Sequence, residues 1–389
     1  MATYLIKLYP IERFFFGSDQ TFGKDNENYF VRSVYFPQQT TLLGTLRYYL
    51  LQQNDKMNEY GKTNPDGKRL IGNMGFDAEI KADVDFGIIK KLSPVFITGP
   101  DGEYMVQSRE YGYNWIEDEI TREKQRELTP LLLSKRKGTT SFGDNEINEI
   151  HYLEGLTSKT EIPDLLVNVK TGRIRHFDFK DELSNNPTNG VFIPHEQVGI
   201  RKPRKEDIDK NKGFYKQIGY TMKPGYGFAF YAQLDPNEEK GDKIGPGLVK
   251  MGADQSWFRV ECKIQASEIE SNMLRLTRNL YNRFNKLENK IVLLSDTYID
   301  WDLYNSPTIP LASVVTVPFR YLITNRPKQG APEYDFKRAE LKLRKTTKYR
   351  TLLKKGSVLF LANNADKQQL IKQMQSNKAF LQIGYNYAI

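Results

Sequence analysis

The chain has 389 residues, 39% hydrophobic and 12% aromatic, with 57 Lys and Arg against 48 Asp and Glu, a net charge of +9. That length suits two domains of ~150–200 residues better than one core, and the composition excludes wholesale disorder. One cysteine, Cys262, excludes an internal disulfide and any multi-cysteine zinc or iron–sulfur site, while the basic balance favours an anionic partner, nucleic acid first. The opening "MATYLIKLYPIERFFF" lacks the basic-then-apolar order of a signal peptide. No apolar run reaches the ~18 residues of a membrane span, so the expectation is a soluble cytoplasmic protein with no membrane partner.

Thr3–Pro10 reads as an opening strand, followed by loop from Gly17 to Phe30. "VRSVYF" is extended up to Pro37. Thr40 or Thr41 then stands where it could N-cap a helix whose Leu42, Leu43, Leu46, Tyr49 and Leu50 face inward. Polar Gln53–Asp77 reads as an insertion, and Phe86–Thr98 as one strand closed by a turn at Gly99–Gly102. Charge-rich Glu117–Lys137 and polar Asp178–Thr188 precede a domain boundary placed near residue 190. The second half of Val191–Asp235 predicts a β-hairpin, with Phe228, Phe230, Ala232 and Leu234 on one face at period two. Ser267 and Glu270 form a capping box for a helix with Ile269, Met273, Leu276, Leu280, Phe284 and Leu287 inward. At the end, "GSVLFLA" reads as a strand, Asp366–Gln375 as a helix and "AFLQIGYNYA" as a strand. The two ends together predict an α+β chain of two ferredoxin-like (RRM-like) domains with insertions, 1–190 and 191–389.

Few residues suggest catalysis. "GKTNPDGKR" (Gly61–Arg69) has five residues between its glycines and Arg69 where a phosphate loop needs Ser or Thr, so it reads as a polar loop. The pairs Asp83/Asp85 and Asp300/Asp302 have no third ligand by spacing, which predicts neither metal nor cofactor. His151, His176 and His195 show no paired metal spacing. His195, beside a basic run, is the one candidate for metal-free acid–base cleavage of RNA. The basic runs carry more information. Arg201–Lys216 holds seven cations and leads into Phe214, Tyr215, Tyr220, Tyr226 and Phe228, a pairing that suits phosphates beside stacked single-stranded bases. Lys337–Lys355 holds nine cations against Glu340 and reads as a broad basic face for non-specific electrostatics or a neighbouring subunit.

"SVYFPQQTTLLGTLRYYLL" resembles the segment of repeat-associated (RAMP) proteins in which a strand and small polar residues lead into a Gly-x-Leu-Arg helix. "VGIRKPR" followed by "GFYKQIGYTMKPGYGFAFYA", then "WDLYNSPTIP" and "KKGSVLFLA", resemble in order the third-subunit family of the Cmr complex, the type III-B CRISPR effector. Two features depart from the family: Gln38-Gln39 replaces a run of prolines, and the glycine-rich C-terminal loop is reduced to Gly384.

The resemblance implies a non-catalytic antiviral subunit with no cofactor. Its ligand would be the 5′ repeat-derived handle of the crRNA, and its partners the large polymerase/cyclase-like subunit and the backbone RAMP subunits. Sequence reading is left to base pairing by the guide. Thr40, Thr41, Gly44 and Arg47 are then candidates to hold a phosphate at the first helix, with Gly44 admitting close approach. Gly199, Ile200, Arg201, Lys202, Arg204, Lys212 and Tyr215 form the chief handle-binding candidate, with a turn at Gly199 and a stretch kept extended by Pro203. Three alternatives stay open. Arg47 could serve an interdomain salt bridge. The chain could be a RAMP endoribonuclease using His195 or a carboxylate pair to process CRISPR repeat RNA, or a stand-alone basic RNA-binding protein.

Overall fold

The computed structural model of the chain describes all residues except 18–29, 58–64, 73–74, 118–123, 143–144, 181–188, 201–213, 238, 240, 253, 285–288, 306–307, 325–342 and 346–349. The architecture is mixed α+β and rich in strands. The elements that position the site are strand β1 (Ala2–Pro10), β2 (Phe30–Arg32), helix α1 (Gln39–Gln53), α2 (Pro65–Ile71), β3 (Ile89–Leu92), β4 (Phe96–Gly99) and β5 (Gly102–Val106). Two hairpins follow, β6 (Tyr111–Glu117) with β7 (Lys124–Pro130), and β8 (Leu132–Phe142) with β9 (Asn145–Glu154). Then come β10 (Leu165–Asn168), β11 (Ile174–His176), β12 (Phe192–Ile200), β13 (Phe214–Met222), β14 (Gly227–Leu234), β15 (Gly247–Met251), β16 (Ser256–Gln265) and α3 (Ile269–Phe284).

Nine strands form the main sheet, in the order β11-β10-β5-β4-β14-β1-β16-β15, with β3 also on β14. Residue 190 therefore falls inside the order of one sheet, which takes strands from both sides of it. At its centre, β14 pairs with β1 in the register Ile6↔Phe230. The run "GFAFYAQL" is apolar nearly throughout, as a strand covered on both faces must be. Phe228, Phe230, Ala232 and Leu234 point into the core under α1, as their period-two spacing predicts, and Ala229 and Tyr231 point into a second core with Ile269, Met273 and Leu276 of α3.

Several local expectations are corrected. The hairpin partner of β13 is β12, with Val198↔Lys216 and Gly199↔Tyr215, whereas β14 belongs to the other sheet. Gly225, at φ +83°, helps turn the chain from one layer into the next. Phe86–Thr98 is two strands, because Pro94 has no N–H to donate and Ser93 satisfies Tyr231 with both its amide and its hydroxyl. The supposed insertion Gln53–Asp77 contributes α2 and buries Leu70, Ile71 and Phe76. At α3 the entry is held by Asn272, whose amide donates to the carbonyls of Ser267 and Glu268, while Glu270 pairs with Lys91. The predicted helix near Asp366–Gln375 is present as Lys367–Met374.

The final segment is not a strand. Asn377 caps a helix, Lys378–Gln382, by accepting from the Phe380 amide. Tyr385 N–H returns to the Phe380 carbonyl and Gly384 N–H to the Leu381 carbonyl, and the Phe380 and Tyr385 rings lie 5.5 Å apart. That is a Schellman ending, with its glycine at φ +94° and its hydrophobic contact. Among the described residues, no helix is long and apolar enough to cross a membrane.

Candidate RNA interface

Two of the four segments that carry the sequence resemblance lie nearly 200 residues apart in the chain and meet in space. β2 runs parallel to β13, Arg32 opposite Ile218, and Ser33 N–H continues the ladder to the Ile218 carbonyl at 2.8 Å. Arg32 Nε donates to the Tyr220 hydroxyl at 2.7 Å, and its Nη2 reaches Asp178 at 3.1 Å. Tyr35 and Phe36 then pack their rings on Phe177 and Phe192, with Tyr35 4.8 Å from Tyr220. Each such aromatic pair adds ~0.5–1.5 kcal/mol beyond its area, which stabilises the junction. Burial pushes the Tyr35 and Tyr220 hydroxyls up from their ordinary value, so both remain neutral donors.

Residues 201–213, which link β12 to β13, are not among the described residues. Arg201, Lys202, Arg204 and Lys212 lie in that segment. Gly199 is not in a turn: it sits in a strand opposite Tyr215, as Ile200 sits opposite Phe214. Of the cations at the hairpin root, Lys216 belongs to the basic run read from the sequence and Lys223 does not. Lys216 pairs with Glu196 at 2.7 Å and lies 5.9 Å from the Phe30 ring, while Lys223 sits 4.3 Å over Phe179. Arg32 gave no sequence signal, because its importance comes from a parallel strand pairing that nothing local announces.

At α1 the expected capping is corrected. Gln38 is the N-cap residue, without a side-chain cap bond, and Thr40 and Thr41 are half-buried within the first turn. Arg47 is half-buried and Gly44 exposed. A Cβ on Gly44 would meet nothing within 4 Å, so no contact within the chain requires this glycine. Gly44→Ala should accordingly raise the stability of the isolated chain by ~0.5–1 kcal/mol, the helix propensity gained. Chemical denaturation would check it. A loss of stability would show that the first turn is more crowded than its geometry implies.

A close approach within the chain occurs at the start of α1. The Gln39 side chain is buried and donates to the carbonyls of Ser93 (2.9 Å) and Ile383 (2.8 Å), and Gly384 leaves room for it. The two departures noted in the sequence, Gln39 and Gly384, are thus in contact with each other. Beneath the same segment lies the last cation of the second basic run. The Lys355 ammonium is buried 4.2 Å from the Phe36 ring, and burial pushes its pKa down to about 8. Arg350 pairs with Glu79 at 2.6 Å and Lys354 with Asp164 at 3.5 Å. The C-terminal end of that run is therefore internal structure, not a solvated face.

The catalytic candidates stay apart. His195 is exposed on β12, its Nε2 2.8 Å from Thr221 Oγ1. His176 instead lies 3.1 Å from the Tyr113 hydroxyl. Asp85 accepts from the Gly87 amide in a turn, and Asp83 reaches Lys378 only at 4.0 Å. Trp301–Tyr304 is a short helix with Asp302 exposed. Among the described residues, no three His, Cys, Asp or Glu side chains come together as a metal site.

The family profile described as "CRISPR-associated protein (Cas_Cmr3)" matches residues 6–108 and 159–389. The unmatched stretch 109–158 holds the two hairpins β6–β7 and β8–β9. No curated protein matches the chain. Among solved structures, the chain is similar to one in the type III-B Cmr-beta complex bound to cognate target RNA and AMPPnP. Identity there is 13% and TM-score 0.47, over 100% of this chain and 96% of the other. A chain of the same complex bound to cognate target RNA alone gives 13% identity and TM-score 0.48 at the same coverage. It is the profile match, over most of the chain, that assigns the family: the chain belongs to the Cas_Cmr3 family of CRISPR-associated proteins.

Proposed function

We propose that this chain is a non-catalytic subunit of a type III-B effector that binds the 5′ handle of the crRNA and bridges the large polymerase/cyclase-like subunit to the backbone RAMP subunits. The supporting observation is the joining of two motif segments at the β12–β13 hairpin, where β2 pairs with β13 and Tyr35 packs on Tyr220; Arg201, Lys202, Arg204 and Lys212 belong to the segment that links β12 to β13. Phosphate contacts from such a segment position a strand without reading its sequence, which suits a constant handle. Thr40, Thr41 and Arg47 on α1 are the second contact, and Gly44 the open point of that turn. This reading also carries two ferredoxin-like domains, 1–190 and 191–389, whose strands interleave in the nine-stranded sheet, β14 lying between β4 and β1.

The test is binding of crRNA with and without its handle. Replacing Arg201, Lys202 and Arg204 by alanine should weaken handle binding at least ~10-fold at moderate salt, since several charge-assisted bonds are lost, and leave the fold intact. A triple variant that binds as wild type would remove that segment from the site. Repeat RNA should stay uncut with or without magnesium. Specific cleavage products that vanish in His195→Ala would replace this reading with the endoribonuclease.

A further inference from the structure

The main sheet has one face under α1 and the aromatic hairpin root, whose apolar residues form a single core. Its opposite face is covered unevenly. Over β14 and β4 it packs against α3, but on β15, β16 and the end of β1 the outward side chains are open: Trp257 is 38% exposed and Leu248 46%. Antiparallel register sets Lys250 opposite Trp257, Arg259 opposite Tyr9 and Glu261 opposite Lys7. The Lys250 ammonium lies 4.9 Å from the Trp257 ring, and the Arg259 guanidinium 4.7 Å from that of Tyr9. Room for the Tyr9 ring is made by Gly227, where a Cβ would come within 2.8 Å of it.

From these rings and charges we infer that the strip formed by β15, β16 and β1 is a second binding surface, for single-stranded RNA. Trp257 stands on β16 two residues from Arg259, the partner of Tyr9 on β1, so the two rings are diagonal neighbours on one face, a platform for splayed bases. Lys7, Lys250, Arg259 and Lys263 share that face with Glu261, which pairs with Arg259, and Glu12 at its edge accepts from the Trp257 amide, so the strip keeps a positive excess for a phosphate backbone. Every base has a π-face, so such a platform accepts sequence freely. It lies across the sheet from the hairpin and does not rest on the handle assignment.

The test uses the full chain and a fluorescein-labelled ten-residue oligouridine, read by anisotropy at low salt. Trp257→Ala and Arg259→Glu should each weaken binding at least ~10-fold, and Trp257→Phe, which keeps a ring, less than ~3-fold. Both side chains are exposed, so the variants should fold; should Trp257→Ala fail to, Arg259→Glu asks the same question. The triple variant of Arg201, Lys202 and Arg204, made in parallel, should still show the loss on Trp257→Ala. Unchanged oligouridine affinity in both strip variants would overturn the proposal. So would unchanged affinity with loss of partner subunits on purification, which would make the strip a protein interface.

Discussion

Gly384→Ala should leave the chain severely destabilised, by about 4 kcal/mol or more, a large part of the ~5–15 kcal/mol that holds a typical fold together. The new Cβ would stand 1.8 Å from Gln39 Nε2 and 2.5 Å from the Ser93 carbonyl oxygen, at a φ of +94° that suits glycine. Gln39 could yield only by giving up its bonds to Ser93 and Ile383, which leaves buried polar groups without partners. Ser93 cannot yield at all without shifting the bend between β3 and β4, because it also satisfies Tyr231. Gln39→Ala in the same chain should restore part of the loss, as it removes one of the two collisions. A Gly384→Ala protein with the denaturant midpoint of wild type would show that the C-terminal turn does not dock on α1.

Glu110→Gln should cost ~3–5 kcal/mol, because it leaves Lys290 with a charge and no counterion inside the protein. The pair is 2.5 Å apart with both side chains under 10% exposed, and Ser108 donates a further bond to Glu110. It ties the start of the β6–β9 hairpins to the strand Lys290–Val292, next to a small core of Leu131, Leu153, Val292, Val358 and Phe360. Replacing both partners, Glu110→Leu with Lys290→Met, should restore stability to near wild type or above it, since the cost of dehydrating two ions disappears with them. A double-mutant cycle by urea unfolding measures the coupling. A single Glu110→Gln loss under ~1 kcal/mol would mean that water reaches the pair.

Local pattern made some of this visible and pairing hid the rest. The inward face of α1 follows from Leu42, Leu46, Tyr49 and Leu50 at helical spacing, and all four are buried. The C-terminal helix was signposted by Asn377 before it and Gly384 after it, the cap and stop residues of a short helix, but its apolar residues matched a strand equally well. That β13 would choose β12 over β14 has no local signature, because both candidates are good strands and the link to β14, residues 223–226, is the shorter one. The core site residues divide the same way. A basic run next to aromatic strands is a compositional signal, whereas Arg32 on β2 and the Gln39–Gly384 contact exist only once distant segments are brought together.

The position of β1 also sets a clock for synthesis. Leu8 pairs with Phe228 and with Val260, so neither edge of the first strand has its partner until more than half the chain has been made. At ~5–20 residues per second, the wait is ~11–50 s. Throughout it the nascent chain carries an apolar strand with two unpaired edges, the kind of segment that pairs with the wrong neighbour. A chain truncated before β14 would stay in that condition permanently, so premature termination yields an aggregating fragment rather than a smaller folded unit.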